Sequence, residues 1–159
     1  MKEEFNTFCI IILIMKRGDD MGFNQKSWIE NYVHSLCPLK ITQEKVDEEI
    51  KNIVILMNDL FSNQDTDKHV EFIEEENIII FPGRKSNIFI MYSVDSENNE
   101  VKIMQHKKRE LSSEIKKTIL ITCKVEEYLV KNEPSITMDE VSFDCLKDAI
   151  NYAFSKILI

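Results

Sequence analysis

The constraint that most limits the fold is a change of hydrophobic period near residue 65. Before it, Val46, Ile50, Ile53, Met57 and Leu60 recur at steps of three and four, while Glu44, Asp47, Glu48 and Lys51 fill the intervening positions. That spacing lays one apolar stripe along an α-helix, and Thr42 is well suited to cap it. After it, HVEFIEEENIIIFPG and NIFIMYSVDSENNEVKIMQH supply short runs rich in Ile, Val, Phe and Tyr, separated by polar turns. Such runs read as strands, and their order predicts an antiparallel meander of four. Asn87–Val94 is mostly apolar, so that strand is expected to be covered on both faces.

The flanks read as helical. NQKSWIENYVHSLC, from Asn24, spaces Trp28, Tyr32, Val33 and Leu36 helically and stops before Pro38. Past the strands, Ser112 or Ser113 is placed to cap a helix carrying Ile115, Ile119, Thr122, Val125 and Leu129. Its β-branched centre, Thr118 to Thr122, also suits a strand. Thr137 and Glu140 match a capping box ahead of a stripe formed by Val141, Leu146, Ile150, Ala153, Phe154 and Ile157. The expectation is therefore an α+β fold, a four-stranded antiparallel meander flanked by two N-terminal and two C-terminal helices, forming a single domain over residues 21–159.

The amino end raises a separate question. Phe8–Met15 is an apolar run of eight residues closed by Lys16 and Arg17, far short of the roughly 20 residues that span a bilayer. The mixed charge ahead of it and the absence of an Ala-x-Ala-like site behind it disfavour a secretory signal. In AT-rich bacterial codons, Lys16–Met21 back-translates to a purine-rich ribosome-binding element just before the Met21 codon. Residues 1–20 are then expected to be an untranslated or disordered leader. A buried strand over Ile10–Met15 is the rival reading.

Composition sets outer limits. A chain of 159 residues with 43% hydrophobic and 30% charged residues is long and mixed enough for an ordinary core. The formal charge of −8 disfavours nucleic acid and anionic lipid as partners and favours a basic protein. Cys9, Cys37, Cys123 and Cys145 lie far apart, with no Cys-x-x-Cys pair. That pattern suits a reduced, cytoplasmic protein and writes no zinc site.

The residues able to carry chemistry also suit plainer roles. Asp65, Asp67, His69 and Glu71 alternate as oxygen and nitrogen donors, but the run lacks the glycine of a calcium loop and any distant partner. Asp95–Glu100 lacks that glycine too and reads as a hairpin turn. Pro82–Ser86 resembles a phosphate loop without the glycine spacing. His34, His69 and His106 form no ligand pair, and a Cys37 or Cys123 nucleophile would need a histidine brought to it in space. His106–Arg109, with Arg84, Lys85 and Lys102, forms a local basic group. Glu71 with Glu74–Glu76 forms an acidic one, suited to a charged sheet edge. No catalytic residue, cofactor or metal is expected. The function expected is a non-catalytic protein-binding module of the immunity or inhibitor type. The alternative is a sensor or small enzyme whose pocket between sheet and helices gathers Tyr92, His106 and Cys123.

Overall fold

The computed structural model describes residues 25–36, 39–124, 126–133 and 139–159. The chain divides after Pro38 into two compact units. In the first, helix α1 spans Gln25–Leu36 and presents Trp28, Tyr32 and Leu36 to solvent. The expected leader, residues 1–20, and the Ile10–Met15 strand lie outside the described residues, as do Asn24, Cys9 and Cys37.

The second unit, Leu39–Ile159, opens with α2, Gln43–Asn63. Thr42 caps it, its Oγ1 accepting from the Lys45 backbone N–H at 3.4 Å. Seven strands follow: β1 (Glu71–Ile73), β2 (Ile78–Phe81), β3 (Ile88–Asp95), β4 (Glu100–His106), β5 (Ile115–Lys124), β6 (Glu127–Glu133) and β7 (Glu140–Phe143). The closing helix α3 covers Leu146–Leu158. Every strand pairs antiparallel with its sequence neighbours, so the sheet is one continuous meander.

The α+β class stands, but the expected arrangement does not: the sheet has seven strands rather than four, and the described helices number three. The segment expected to be a helix after Ser112 is the β5–β6 hairpin. Ile119 and Ile121 fall on one face and Leu120 on the other, all buried, and β4 and β6 saturate the backbone of β5 from both sides. The β-branched run that suited both readings is settled by this tertiary pairing. Ser113 caps no helix; its Oγ donates to the Lys108 carbonyl at 3.0 Å inside the β4–β5 connection. The last helix begins later than the capping box implied. Glu140 and Val141 belong to β7, paired with Lys131 and Val130, and α3 starts after Cys145. Thr137 lies outside the described residues.

The core lies between one face of the sheet and the two helices. Val46, Ile50 and Ile53 of α2 and Leu146, Ala149, Ile150, Ala153, Phe154 and Ile157 of α3 pack with Ile79, Ile90, Tyr92, Val101, Ile103, Ile119, Ile121 and Val130. The other face holds a smaller cluster drawn from β1–β3, with Ile78, Ile80 and Met91 buried beside Ile73 and Phe89. Strand β3 is thus buried on both faces, as its composition implied. Tight turns use Asp65, Asn77 and Asn99 at positive φ, the residue types other than glycine that best tolerate a left-handed conformation. Among the described residues, no helix is long and apolar enough to cross a membrane.

Candidate functional site

The most developed polar cluster sits where α2 meets the sheet. Asp47 lies one position off the α2 stripe and is only 8% exposed. Its Oδ1 accepts from the Tyr92 hydroxyl at 2.5 Å and from Gln43 Nε2 at 2.7 Å. The same amide nitrogen of Gln43 reaches Asn77 Oδ1 at 3.0 Å, and the Asn77 carbonyl accepts from the Tyr92 backbone N–H. Just outside, Lys51 pairs with Glu74 at 2.7 Å. Burial pushes the Tyr92 hydroxyl far above its ordinary range, and the bond to Asp47 pushes it further. The phenol therefore stays protonated at neutral pH and donates to the carboxylate. This arrangement fixes α2 to β3 and the β1–β2 turn.

The residues singled out by the sequence do not converge. Tyr92 and Cys123 belong to the helix-covered core. His106 pairs with Phe89, which packs in the opposite cluster, so a layer of sheet separates it from both. It is 3% exposed; its Nδ1 lies 3.3 Å from Ser113 Oγ, and its Nε2 has no hydrogen-bond partner. Cys123 and Cys145 are free thiols, and burial raises both above the ordinary thiol range. Raised thiols are poor nucleophiles. The side chain of His34 lies outside the described residues.

Asp65, Asp67 and His69 occupy the exposed connection from α2 to β1. Among the described residues, no group of three His, Cys, Asp or Glu comes together as a metal site would require. Pro82–Ser86 is the β2–β3 turn, followed by strand rather than helix, and a Cβ on Gly83 would collide with the Ser86 carbonyl. Asp95–Glu100 forms the β3–β4 turn. Its Asp95 carboxylate accepts from the Asn98 side chain at 2.7 Å and from the backbone N–H groups of Asn98 and Glu97. Those bonds hold Asp95 below the usual carboxylate range.

A cleft beside β5, β6 and α3 is lined by Ile119, Val130, Lys131, Asn132, Asp139, Tyr152 and Lys156, with a volume near 10 Å³. That is room for about one water, against the hundreds of cubic ångströms of a small-molecule site.

What the meander does arrange is charge. Its register sends the β3–β4 and β5–β6 turns to the same end, since Asp95 faces Glu100, Glu100 faces Thr122 and Lys124 faces Glu127. The start of α2 joins them, because the Ile41 N–H donates to Asn99 Oδ1. The start of α3 also joins them, three residues beyond the Phe143–Tyr128 pair. This end carries Glu44, Glu97, Glu100, Glu126, Glu127 and Asp144, none in an ion pair among the described residues, against Lys40, Lys45 and Lys124, so carboxylates outnumber cations there. The β2–β3 and β4–β5 connections leave the opposite end and carry Arg84, Lys85, Lys107, Lys108 and Arg109. Lys102 is not among them. It lies within β4, opposite Ser93. Sequence reading found the basic group but not the acidic end, whose members are scattered over a hundred positions and meet only through the strand register.

No protein-family model matches this chain, and no curated protein or solved structure matches it either.

Proposed function

We propose that this chain is a non-catalytic protein-binding module whose acidic end receives a basic surface on another protein, in the manner of an immunity or inhibitor protein. The observation that carries the reading is the convergence of Glu97, Glu100, Glu126 and Glu127 from two turns at one end of the sheet, without ion-pair partners among the described residues. Carboxylates so placed raise the encounter rate with a cationic surface and reject anionic ones. The raised Cys123, Cys145 and Tyr92 groups and the separation of His106 from Cys123 add support, since these four residues do not come together as nucleophile and base.

The test begins with affinity capture from the native host and mass spectrometry, followed by kinetics on the purified pair. The partner should be basic. Its association rate should fall about tenfold or more between roughly 50 mM and 500 mM salt. The combined substitution Glu97→Lys, Glu100→Lys, Glu126→Lys and Glu127→Lys should abolish the salt-sensitive component while the protein still melts cooperatively. A partner bound equally well by that variant would overturn the assignment.

A further inference from the structure

The end opposite the carboxylates has its own chemistry. The β4–β5 connection is a hairpin closed by the Lys107 N–H donating to the Glu114 carbonyl, with Ser113 Oγ bridging the Lys108 backbone. Leu111, at its tip, is 78% exposed, and Ile115, at its return, is 48% exposed. Cations share this end with them: Lys108 in the hairpin, Lys116 at the start of β5, and Arg84 and Lys85 in the neighbouring β2–β3 turn. None of these four is in an ion pair among the described residues, whereas Lys107 is held by Glu114 and Arg109 by Glu76.

We propose that this end docks on an anionic lipid surface, with Leu111 entering the headgroup boundary while Arg84, Lys85, Lys108 and Lys116 meet lipid phosphates. An exposed apolar side chain at an end that carries these cations gains from an interface that is charged outside and greasy within. On a nucleic-acid backbone the same leucine would gain nothing, because cations alone make those contacts. The net charge of −8 opposes such docking only if it acts as a whole. Strand β4 is seven residues long, which sets the two ends about 24 Å apart. That is roughly three Debye lengths at physiological salt, so the cations answer to the surface and the distant carboxylates are screened from it. Glu110 opposes them at the tip, and Glu75 and Glu71 stand nearby, the first beside the Glu76 that Arg109 reaches and the second opposite Ile80 next to the β2–β3 turn; Arg84, Lys85, Lys108 and Lys116 outnumber these three.

Co-sedimentation of the full chain with phosphatidylglycerol–phosphatidylcholine vesicles, and with phosphatidylcholine vesicles alone, tests this directly. The protein should pellet with the anionic vesicles only. Arg84→Glu with Lys85→Glu should weaken partition by about 25-fold or more, at roughly fivefold per cation lost. Leu111→Ser should weaken it about tenfold, and Glu110→Lys should strengthen it. All these positions are exposed, so unchanged melting will show that each variant is folded. Failure to pellet with anionic vesicles overturns the proposal. So does Leu111→Ser binding as tightly as wild type while heparin displaces both, for that would be a general polyanion site.

Discussion

Asp47 shows how one residue can change its meaning between sequence and structure. Its position, one step from Val46, reads as the solvated flank of an amphipathic helix, yet it is buried because Tyr92, 45 residues away, delivers a hydroxyl to it. No local pattern encodes that bond; it exists only once β3 lies beneath α2. A buried carboxylate losing one of its donors is destabilised, and Tyr92→Phe should lower stability by about 1–3 kcal/mol in urea unfolding. The same pair predicts an alkaline effect. Tyr92 is raised in the folded state, so its contribution is complete below the unfolded tyrosine pKa of about 10 and is lost as pH climbs above it. Tyr128, pushed up to about 12 by burial, acts with the same sign. Stability should therefore fall above about pH 10, and less steeply in Tyr92→Phe, which retains only the Tyr128 share. Parallel pH profiles for the two proteins would show that the Tyr92 hydroxyl is not held as described.

At the scale of elements, strongly periodic segments were legible and ambiguous ones were not. Helix α2 follows from its spacing and its Thr42 cap, and the β3–β4 hairpin follows from an Asp-initiated polar turn between apolar runs. The β5–β6 hairpin failed because its connection, Val125–Glu126 between Lys124 and Glu127, carries none of the Asn-Gly or Asp-Gly chemistry that marks a short turn. Without that mark, Ile119, Thr122 and Leu129 fit a helical face as readily as alternating strand faces. Helix α3 is legible in its stripe, but it starts later than the capping box implies, because Glu140 opens β7 instead. Of the expected stripe, Leu146, Ile150, Ala153, Phe154 and Ile157 are buried by α3, whereas Val141 is exposed on β7. Phe154 is 3% exposed and its ring lies 5.9 Å from that of Phe81. Phe154→Ala should lower stability by about 3–5 kcal/mol, a large share of the 5–15 kcal/mol typical of a domain. A loss below about 1 kcal/mol in denaturant titration would mean that α3 is not integral to this core.

For the whole unit formed by Leu39–Ile159, the meander acts as a sorter of charge, sending alternate connections to opposite ends. Composition records only the sum, which is why net charge alone argued against any anionic partner. The arrangement has a consequence for stability as well as for binding. Glu97, Glu100, Glu126 and Glu127 share one end with Asp144, outnumber Lys40, Lys45 and Lys124 there and have no ion-pair partners among the described residues, so at low salt this end carries a net repulsion in the folded state that is relieved on unfolding. The described ion pairs, Lys51–Glu74, Lys107–Glu114 and Arg109–Glu76, have side chains about half exposed, and exposed pairs of this kind contribute little. Screening should therefore relieve more repulsion than it removes attraction, and Tm should rise by about 3–5 °C between roughly 10 mM and 500 mM sodium chloride. Glu97→Lys with Glu126→Lys should raise the low-salt Tm and flatten its dependence on salt, because each reversal replaces repulsion by attraction within the same end. A Tm that falls with salt would place the balance with the ion pairs, and a double variant with wild-type salt dependence would show that these carboxylates stand too far apart to interact.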